Sequence, residues 1–521
     1  MNRNRKSTSV RGITILAACA LALATLAHAS SARAGTVTVT TLKDSGPGSL
    51  RQAIAEASPG DTITFGVEGK ITLTSGALTI EKDLDIEGPG PQKLKISGND
   101  ASRIFEVLSG SVRIAGVTIS DGLADASSPE PPSTGGGVLN LASLTLCNDV
   151  VSDNQAHGDP SKSPFGSPGG GGGGGVANFG TLAITDSRFI SNLARGGDGS
   201  SGGPFAQGGA VGGALLNQGG DVQVTSSQFL SNVAQGGNGC TGFFAGVSVG
   251  GAIGNFGTMR ITDSRFSHNQ AISGNDNSGS LSGFAASGAI QSENNTGVGT
   301  VSLEVRDSQF DHNQAIGGNG NTGDMFPGLV MGGAVHFANV APGTTTGTVS
   351  GCTLEHNEAI GGTGAPGADG GGGACGGLDA EGGATVTVSN CTVAHNRALG
   401  GLGGAGGNGG NGAGGGLRSG DGSTLTVINT TVTHNQAQGG EGGTGGKGGD
   451  AWGGGLLNFA GGLPNYLTLE GAIVTHNLAM AGPGGQGLGG GVYNLDGTYS
   501  ADSTTVIDKN EATTSNDNIW P

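Results

Sequence analysis

One pattern of apolar and polar positions recurs ten times between residues 151 and 512. A large apolar residue is followed three places later by Asn, and Ala comes two places after the Asn. The apolar positions are Val151, Phe189, Phe229, Phe266, Phe310, Leu354, Val393, Val432, Val474 and Ile507. The anchor positions are Asn154, Asn192, Asn232, Asn269, Asn313, Asn357, Asn396, Asn435, Asn477 and Asn510. A unit that returns every 33 to 44 residues is typical of a repeat array.

Each unit predicts about three short strands separated by bends. It opens on a Gly-rich bend with an apolar residue, as in Gly414-Gly415-Gly416-Leu417, and continues into an alternating run such as Leu182-Ala183-Ile184. The pattern predicts an all-β fold, a right-handed parallel β-helix in which each unit is one coil. Successive coils would stack at strand spacing, with apolar ladders inside and Asn side chains satisfying the backbone of the bends.

Gly-rich inserts separate the units, for example residues 196–209, 400–412 and 439–449. Such segments carry little apolar surface, so we expect a flexible fringe along one edge of the solenoid. The fringe could serve as a binding face or as a set of spacers.

The chain divides into three regions. Residues 1–34 have the form of a signal peptide, residues 35–134 form an N-terminal cap with the first irregular coils, and residues 135–521 hold the regular repeats. In the cap, the run from Ser49 to Ala57 predicts a short amphipathic helix with Ser49 as N-cap and Gln52 completing a capping box. A helix of this kind would cover the open end of the stacked strands.

The N-terminal region predicts export. A basic segment precedes an apolar run, and Ala32-Arg33-Ala34 fits a cleavage site. Leu16-Ala17-Ala18-Cys19 also matches a lipobox, so a lipoprotein anchored through Cys19 is the alternative. We therefore expect an extracellular or cell-surface protein, with no transmembrane segment after removal of the signal.

The charge and the glycine content of the chain narrow the class of binding partner. Without the five basic residues of the signal, the chain has 23 − 5 = 18 basic and 40 acidic residues, a balance of −22. This charge argues against nucleic acid as a partner. The 111 Gly residues show no collagen period. A surface polysaccharide or another cell-envelope component is the partner we expect, and no cofactor is predicted.

Two of the five cysteines beyond the signal share one column of the repeat. Cys352 and Cys391 each lie five places before an anchor Asn. In neighbouring coils their backbones would be about 4.8 Å apart, within reach of a disulfide. Buried free thiols that fill a small slot are the alternative.

The repeat also produces a row of histidines directly before six consecutive anchor Asn residues. Its members are His268, His312, His356, His395, His434 and His476. If Asn points inward, these imidazoles point outward, where they could bind a transition metal or sense pH. The same column holds other residues in other units, so it could equally be a tolerant exposed position. No catalytic residue and no definite metal ligand is assigned.

The cap and the repeats carry a resemblance. Ser45-Gly46-Pro47-Gly48-Ser49-Leu50-Arg51-Gln52-Ala53-Ile54 resembles the N-terminal cap of bacterial secreted right-handed β-helix proteins. The Gly-Gly-Gly-Val-x-Asn and Phe-x-x-Asn-x-Ala units are similar to repeats of polymorphic outer-membrane-protein-like and adhesin-like families. The resemblance implies an exported, non-catalytic protein, adhesin-like or structural, at the bacterial cell surface.

The alternative is a carbohydrate-active enzyme, a polysaccharide lyase or glycoside hydrolase, on a pectin-lyase-like β-helix. Three or more charged side chains clustered on one outer sheet of adjacent coils would favour this alternative, because such sites need clustered carboxylates. Ladders of Thr, Ser and Gln on that sheet would not.

Overall fold

Strand pairing between successive repeats sets the architecture. The structure, a computed structural model, describes residues 34–161, 168–202, 206–295, 299–340 and 342–520. The signal segment and its Cys19 therefore lie outside the described residues. Each regular coil runs through five sheets, numbered 1 to 5 in the order in which a coil visits them, whereas the first described coils lack sheets 3 and 4; the strands within each sheet are parallel. The fold is a parallel β-helix, as predicted.

The strands of each sheet have the following bounds. Sheet 1 comprises Thr36–Val39, Asp61–Phe65, Leu84–Glu87, Ser111–Ala115, Ser143–Cys147, Thr181–Thr185, Asp221–Thr225, Thr258–Thr262, Thr300–Arg306, Thr344–Ser350, Thr385–Ser389, Thr424–Ile428, Tyr466–Glu470 and Thr498–Ala501. Sheet 2 comprises Gly69–Thr72, Leu94–Ser97, Thr118–Ser120, Val150–Ser152, Arg188–Ile190, Gln228–Leu230, Arg265–Ser267, Gln309–Asp311, Thr353–Glu355, Thr392–Ala394, Thr431–Thr433, Ile473–Thr475 and Val506–Asp508. Sheet 3 comprises Leu123–Ala124, Gln155–His157, Leu193–Arg195, Val233–Gln235, Gln270–Ile272, Gln314–Ile316, Glu358–Ile360, Arg397–Leu399, Gln436–Gln438, Leu478–Met480 and Glu511–Ala512.

The remaining sheets are the ones that form the groove described below. Sheet 4 comprises Gly171–Gly172, Ala210–Val211, Ser248–Val249, Ala285–Ala286, Val330–Met331, Gly373–Ala374, Gly412–Ala413, Ala451–Trp452 and Gly487–Leu488. Sheet 5 comprises Leu78–Ile80, Phe105–Val107, Val138–Asn140, Val176–Asn178, Leu215–Asn217, Ile253–Asn255, Ile290–Asn294, Val335–Asn339, Leu378–Glu381, Leu417–Gly420, Leu456–Phe459, Val492–Leu495 and Ile519–Trp520. A separate two-stranded sheet pairs Ala206–Gln207 with Phe244–Ala245.

The interior is built of side-chain ladders. The rings of Phe189, Phe229, Phe266 and Phe310 stack with centroids 4.8–4.9 Å apart, and all four are fully buried. The anchor Asn residues form a second ladder. The Nδ2 of Asn313 donates to Phe266 O at 3.0 Å and to the Oδ1 of the next anchor at 2.9 Å. These bonds satisfy the buried polar groups of the bend, as the sequence pattern predicted.

A single α-helix in the described residues, Leu50–Glu56, buries Leu50 and Ile54. Ser49 caps it, since its Oγ accepts a hydrogen bond from Gln52 N at 3.2 Å. The second half of the predicted capping box is not formed, because Gln52 Nε2 donates to Glu56 Oε1 at 2.5 Å instead. No described helix is long and apolar enough to span a membrane.

The Gly-rich inserts are hydrogen-bonded layer on layer, which differs from the flexible fringe expected above. Gly410 N donates to Gly401 O at 2.9 Å, and Gly440 N in the next coil donates to Gly410 O at 2.8 Å. A Cβ on Gly401 would lie 2.0 Å from Gly362 O. Backbone hydrogen bonds between close-packed glycines therefore order the inserts. The expectation of a flexible fringe considered only the burial of apolar surface and left these bonds out.

The two column cysteines are buried free thiols in neighbouring coils. Cys352 N donates to Cys391 Sγ at 3.3 Å, and neither residue is in a disulfide. Of the two alternatives left by the sequence, a disulfide and a pair of buried free thiols, the structure has the free thiols.

Candidate active site

A row of polar residues occupies the outer face of sheet 5 in four adjacent coils. Strand register places Gln291 beside His336, His336 beside Asp379 and Asp379 beside Arg418. Their neighbours in the strands, such as Val335 and Leu378, point into the core, so alternation turns the polar row outward. All four residues are at most 5 % exposed. The row is therefore a buried charged cluster on the outside of the solenoid.

The fold fixes this row through the bend that precedes each strand. Gly332 and Gly414 lie in the bends just before two of these strands and adopt the left-handed conformation, with φ of +66° and +65°. Glycine adopts this conformation without steric cost. The bend aims the outer faces of sheets 4 and 5 towards one common concave surface, which both sheets line.

His336 lies at the centre of the cluster. Its Nδ1 lies 2.8 Å from Gln291 Oε1, and Gln291 Nε2 donates in turn to Glu293 Oε2 at 2.9 Å. The Nε2 atom approaches Glu381 Oε1 at 3.2 Å and Asp379 Oδ2 at 3.6 Å, without the alignment of a hydrogen bond. Because the amide oxygen can only accept, Nδ1 carries a proton and Nε2 faces the two carboxylates.

Arg418 joins three carboxylates. Its Nη1 lies 3.0 Å and 2.9 Å from the two oxygens of Asp379 and 3.1 Å from Glu381 Oε2, while Nη2 lies 3.4 Å from Asp421 Oδ2. Burial raises the pKa of Asp421, and the Arg418 charge offsets part of this rise. The Nη1 and Nη2 groups of Arg418 are thus already paired with carboxylates of the protein itself.

The environment separates the acidic groups by their pKa. Burial raises the pKa of Asp379 to about 6, although Arg418 and His336 oppose the rise. Burial also acts to raise the pKa of Glu381, but the close approach and charge of His336, together with the hydrogen bond and charge of Arg418, outweigh burial and lower the pKa to about 2. Burial raises the pKa of Glu293. Glu381 is consequently ionised at neutral pH, whereas burial favours the protonated form of Glu293 more than in a free glutamate.

The cluster also has the donor set of a metal site. One ligand atom each of His336, Asp379 and Glu381 lie within 4.8 Å of one another. Imidazole and carboxylate groups are ordinary ligands of divalent transition metals. Arg418 already supplies a positive charge to both carboxylates, so a metal would have to share them with the guanidinium. These three residues could hold a divalent cation, and a chelator tests whether activity depends on one.

The cluster lies in a long open groove of about 2280 Å³. Side chains from sheet 4, such as Met331 and Trp452, form one wall, and sheet 5 contributes His336, Glu381 and Arg418. The groove extends from the first strand of sheet 4 to the eighth, which is about 34 Å at strand spacing. It has the length and direction to hold an extended polymer along the solenoid axis.

The predicted histidine row is on a different face of the molecule. The six imidazoles at His268, His312, His356, His395, His434 and His476 are exposed and stack with centroids 5.0–5.1 Å apart. Each residue has a left-handed φ of 54–57° in the turn between sheets 2 and 3. Histidine is among the residues that tolerate this conformation, which agrees with the tolerant-position alternative. A metal-binding or pH-sensing role for this row stays a prediction.

The row gives one expectation for pH dependence. Partial burial and the neighbouring charges of His395 and His476 lower the pKa of His434. Protonation of His434 therefore favours the unfolded chain. It has no effect on stability well above about pH 6.5, and it lowers the stability of the folded protein as the pH falls below that value towards the lower folded pKa. We expect His434→Asn, which also accepts a left-handed φ, to show a slightly smaller loss of melting temperature than the wild type between pH 7 and 5. Identical melting profiles for the two proteins would contradict the expectation.

Sequence analysis missed the sheet 5 cluster, although a signal was present. In the column after the apolar residue of each Gly-rich bend, earlier coils carry Leu139, Ala177 and Leu216, and a later coil carries Leu457. Of the five coils between Leu216 and Leu457, the first carries Gly254 and the other four carry Gln291, His336, Asp379 and Arg418. Comparing this column across all repeats would have found the change from apolar to charged residues. No catalytic residue was predicted because the columns compared, those of the anchor Asn, the cysteines and the histidines, did not include this one.

Comparison with known proteins gives distant structural likenesses. No family model and no curated protein sequence matches the chain. The A-module of the mannuronan C-5 epimerase AlgE6 from Azotobacter vinelandii aligns over 90 % of this chain and 98 % of its own, with 14 % identity and a TM-score of 0.38. The catalytic unit of a GH87 α-1,3-glucanase from Streptomyces thermodiastaticus aligns over 76 % and 68 %, with 14 % identity and a TM-score of 0.31. A PL6 alginate lyase in complex with a trisaccharide aligns over 82 % and 86 %, with 11 % identity and a TM-score of 0.28. Because these TM-scores are below 0.5, the parallel β-helix rests on this chain's own strand pairing, and the likenesses carry no argument about its activity.

Proposed function

We propose that the protein is a carbohydrate-active enzyme that hydrolyses a polysaccharide lying in the groove. The observation that carries the proposal is the buried charged row on the outer face of sheet 5. Leucine, alanine or glycine fills the same position in five other coils, so those coils do without a charge there, although Glu106 occupies it in an early coil. Burying ions costs several kcal/mol for each group before pairing offsets it. Buried charges that carry this free-energy cost at the floor of a groove are expected to serve the protein's function. His336, Asp379 and Arg418 supply the three acidic or basic side chains on adjacent coils that the enzyme alternative calls for, although they are buried where an exposed sheet was expected.

Two groove-lining carboxyl groups have pKa values shifted in opposite directions, as a base and an acid require. Glu381 is ionised and its side chain is 14 % exposed, so it can take a proton from a water molecule. Burial favours the protonated form of Glu293, which can give its proton to the leaving glycosidic oxygen. Water oxygen then forms a bond to the anomeric carbon as the glycosidic bond breaks, and the two protons balance.

The backbone spacing of these two residues is compatible with inversion. Ala338 lies between them in the register, so Glu293 and Glu381 are two coils apart, about 10 Å between backbones. Inverting hydrolases keep their carboxyl groups about 6.5–9.5 Å apart to admit a water, whereas retaining enzymes need about 5–5.5 Å. Asp379, which does not line the groove, acts as a positioning residue that holds Arg418 and His336.

A non-catalytic, adhesin-like or structural role at the cell surface is the second candidate. The long continuous stack of coils favours it, because a solenoid presents an extended surface to a partner. Export through the signal peptide of residues 1–34 is part of both proposals, since polysaccharide substrates and surface partners lie outside the cytoplasm.

A polysaccharide panel tests the proposal. Purified protein is incubated with neutral and acidic polymers, with and without EDTA, and new reducing ends are measured together with the absorbance of unsaturated products. We expect reducing ends from at least one polymer, no unsaturated product and no effect of EDTA. Unsaturated products would show that the protein cleaves by elimination and not by hydrolysis. Loss of activity in EDTA would show that His336, Asp379 and Glu381 act through a metal. Binding without any product would favour the adhesin-like role.

A further inference from the structure

The groove differs from an anion-binding site in its charge. Five carboxyl groups line it, Glu293, Asp369, Glu381, Asp421 and Asp450, against the two fixed cations Arg418 and Lys447, so an acidic excess remains even with Glu293 protonated and His336 charged. Charges of one sign inside a groove repel ligands of the same sign, and the low dielectric of a half-enclosed surface strengthens the effect. A chain with a carboxylate on every sugar would therefore meet repulsion along the groove.

The cations of the groove do not compensate for this excess. Arg418 is surrounded by oxygens of Asp379, Glu381 and Asp421, so binding a substrate carboxylate would require breaking buried ion pairs. His336 faces Glu381 and Asp379 in the same way. Lys447 is on the Gly-rich rim, where its side chain is exposed to solvent and its charge is screened.

The walls on either side of the cluster are apolar and aromatic. Towards the N-terminal coils the groove is lined by Phe244, Phe284 and Phe326, the last of which is 56 % exposed. Towards the C-terminal coils it is lined by Trp452 and Phe459. The ring of Trp452 stacks on Tyr493 with centroids 6.1 Å apart and an interplanar angle of 16°, which fixes its orientation. Rigid aromatic surfaces beside a few polar groups are typical of sites for uncharged ligands.

We propose that the groove selects a neutral glycan chain and excludes polyuronates, with sugar rings packing on Trp452 and Phe459 beside the charged cluster. This inference names the substrate class of the function proposed above and rests on the same groove. It concerns binding, so it can fail or hold independently of cleavage.

Native gel electrophoresis through gels that contain a polymer tests the inference. The probes are neutral glucans, mannans, xylan and galactan, with alginate and polygalacturonate as polyanions, all in EDTA so that no divalent cation bridges acid to acid. We expect at least one neutral polymer to retard Glu381→Gln, which cannot consume it, and the retardation to persist in 0.5 M NaCl. Neither polyuronate should retard the protein. Retardation by a polyuronate, or by no neutral polymer, would overturn the inference.

Variants of the aromatic wall locate the binding surface. Trp452→Ala should weaken binding of the retarding polymer about tenfold, whereas Trp452→Phe, which keeps a ring, should retain most of it. Tyr466→Ala removes an aromatic ring that is 44 % exposed on sheet 1, outside the groove, and should leave binding unchanged. Equal binding by Trp452→Ala and wild type would overturn this location. Cleavage of a polyuronate would overturn the substrate class alone, while neutral binding without cleavage would contradict only the proposed hydrolysis.

Discussion

Replacing Arg418 with Met is expected to lower the free energy of unfolding by about 3–5 kcal/mol. Arg418 is 5 % exposed and contacts Asp379 and Glu381 at 2.9–3.1 Å. Methionine fills much of the same volume but removes the guanidinium charge from the two buried carboxylates, which then face His336 alone. The midpoint of urea unfolding, followed by circular dichroism, measures the change.

The pH dependence of this loss identifies its cause. Without Arg418 the two carboxyl groups should bind protons more readily in the folded state, so the deficit of the variant should shrink as the pH falls from 8 to 5. Arg260→Met is the matched control, because Arg260 pairs with Glu304 on the outer face of sheet 1 with a side chain that is 62 % exposed. It should cost less than about 1 kcal/mol. A similar, pH-independent loss in both variants would contradict the electrostatic account.

Replacing Glu381 with Gln is expected to lower the hydrolysis rate by about 10²–10⁴-fold. The amide keeps the shape and can still accept from Arg418, but it cannot take a proton from water. The rate of reducing-end release from the polymer found in the panel measures the effect, at saturating polymer so that the change is read in kcat.

Glu304→Gln is the matched control for this variant. Glu304 also lies in a parallel strand and contacts Arg260 Nε at 3.1 Å, but it is on sheet 1 and outside the groove. Its rate should equal that of the wild type. Retained activity in a folded Glu381→Gln protein would remove Glu381 from the reaction.

Sequence predicted those parts of the fold that recur at fixed offsets. Phe229 and Phe266 stack, and Asn269 and Asn313 bond along the axis, because identical positions in successive repeats lie directly above one another. The number of strands was wrong, since about three per unit were predicted and the regular coils have five. Two-residue strands such as Gly412–Ala413 show no alternation that a pattern could reveal.

The site was missed for a different physical reason. His336, Asp379, Glu381 and Arg418 each occur once in the array, and a search for recurrence disregards residues that differ between repeats. Their proximity depends on sheet register across 37–45 residues of chain, which spacing alone leaves open because the inserts vary in length. The order of the Gly-rich inserts was missed as well, because it arises from backbone bonds rather than from side chains.

The most direct test of the central claim is a crystal structure of Glu381→Gln with an oligosaccharide from the polymer that the wild type degrades. The account predicts a chain along the groove between sheets 4 and 5, with a glycosidic oxygen within hydrogen-bonding distance of Glu293 and a water beside residue 381. A sugar chain on the outer face of sheet 1 or on the histidine row, with the sheet 5 cluster untouched, would contradict it.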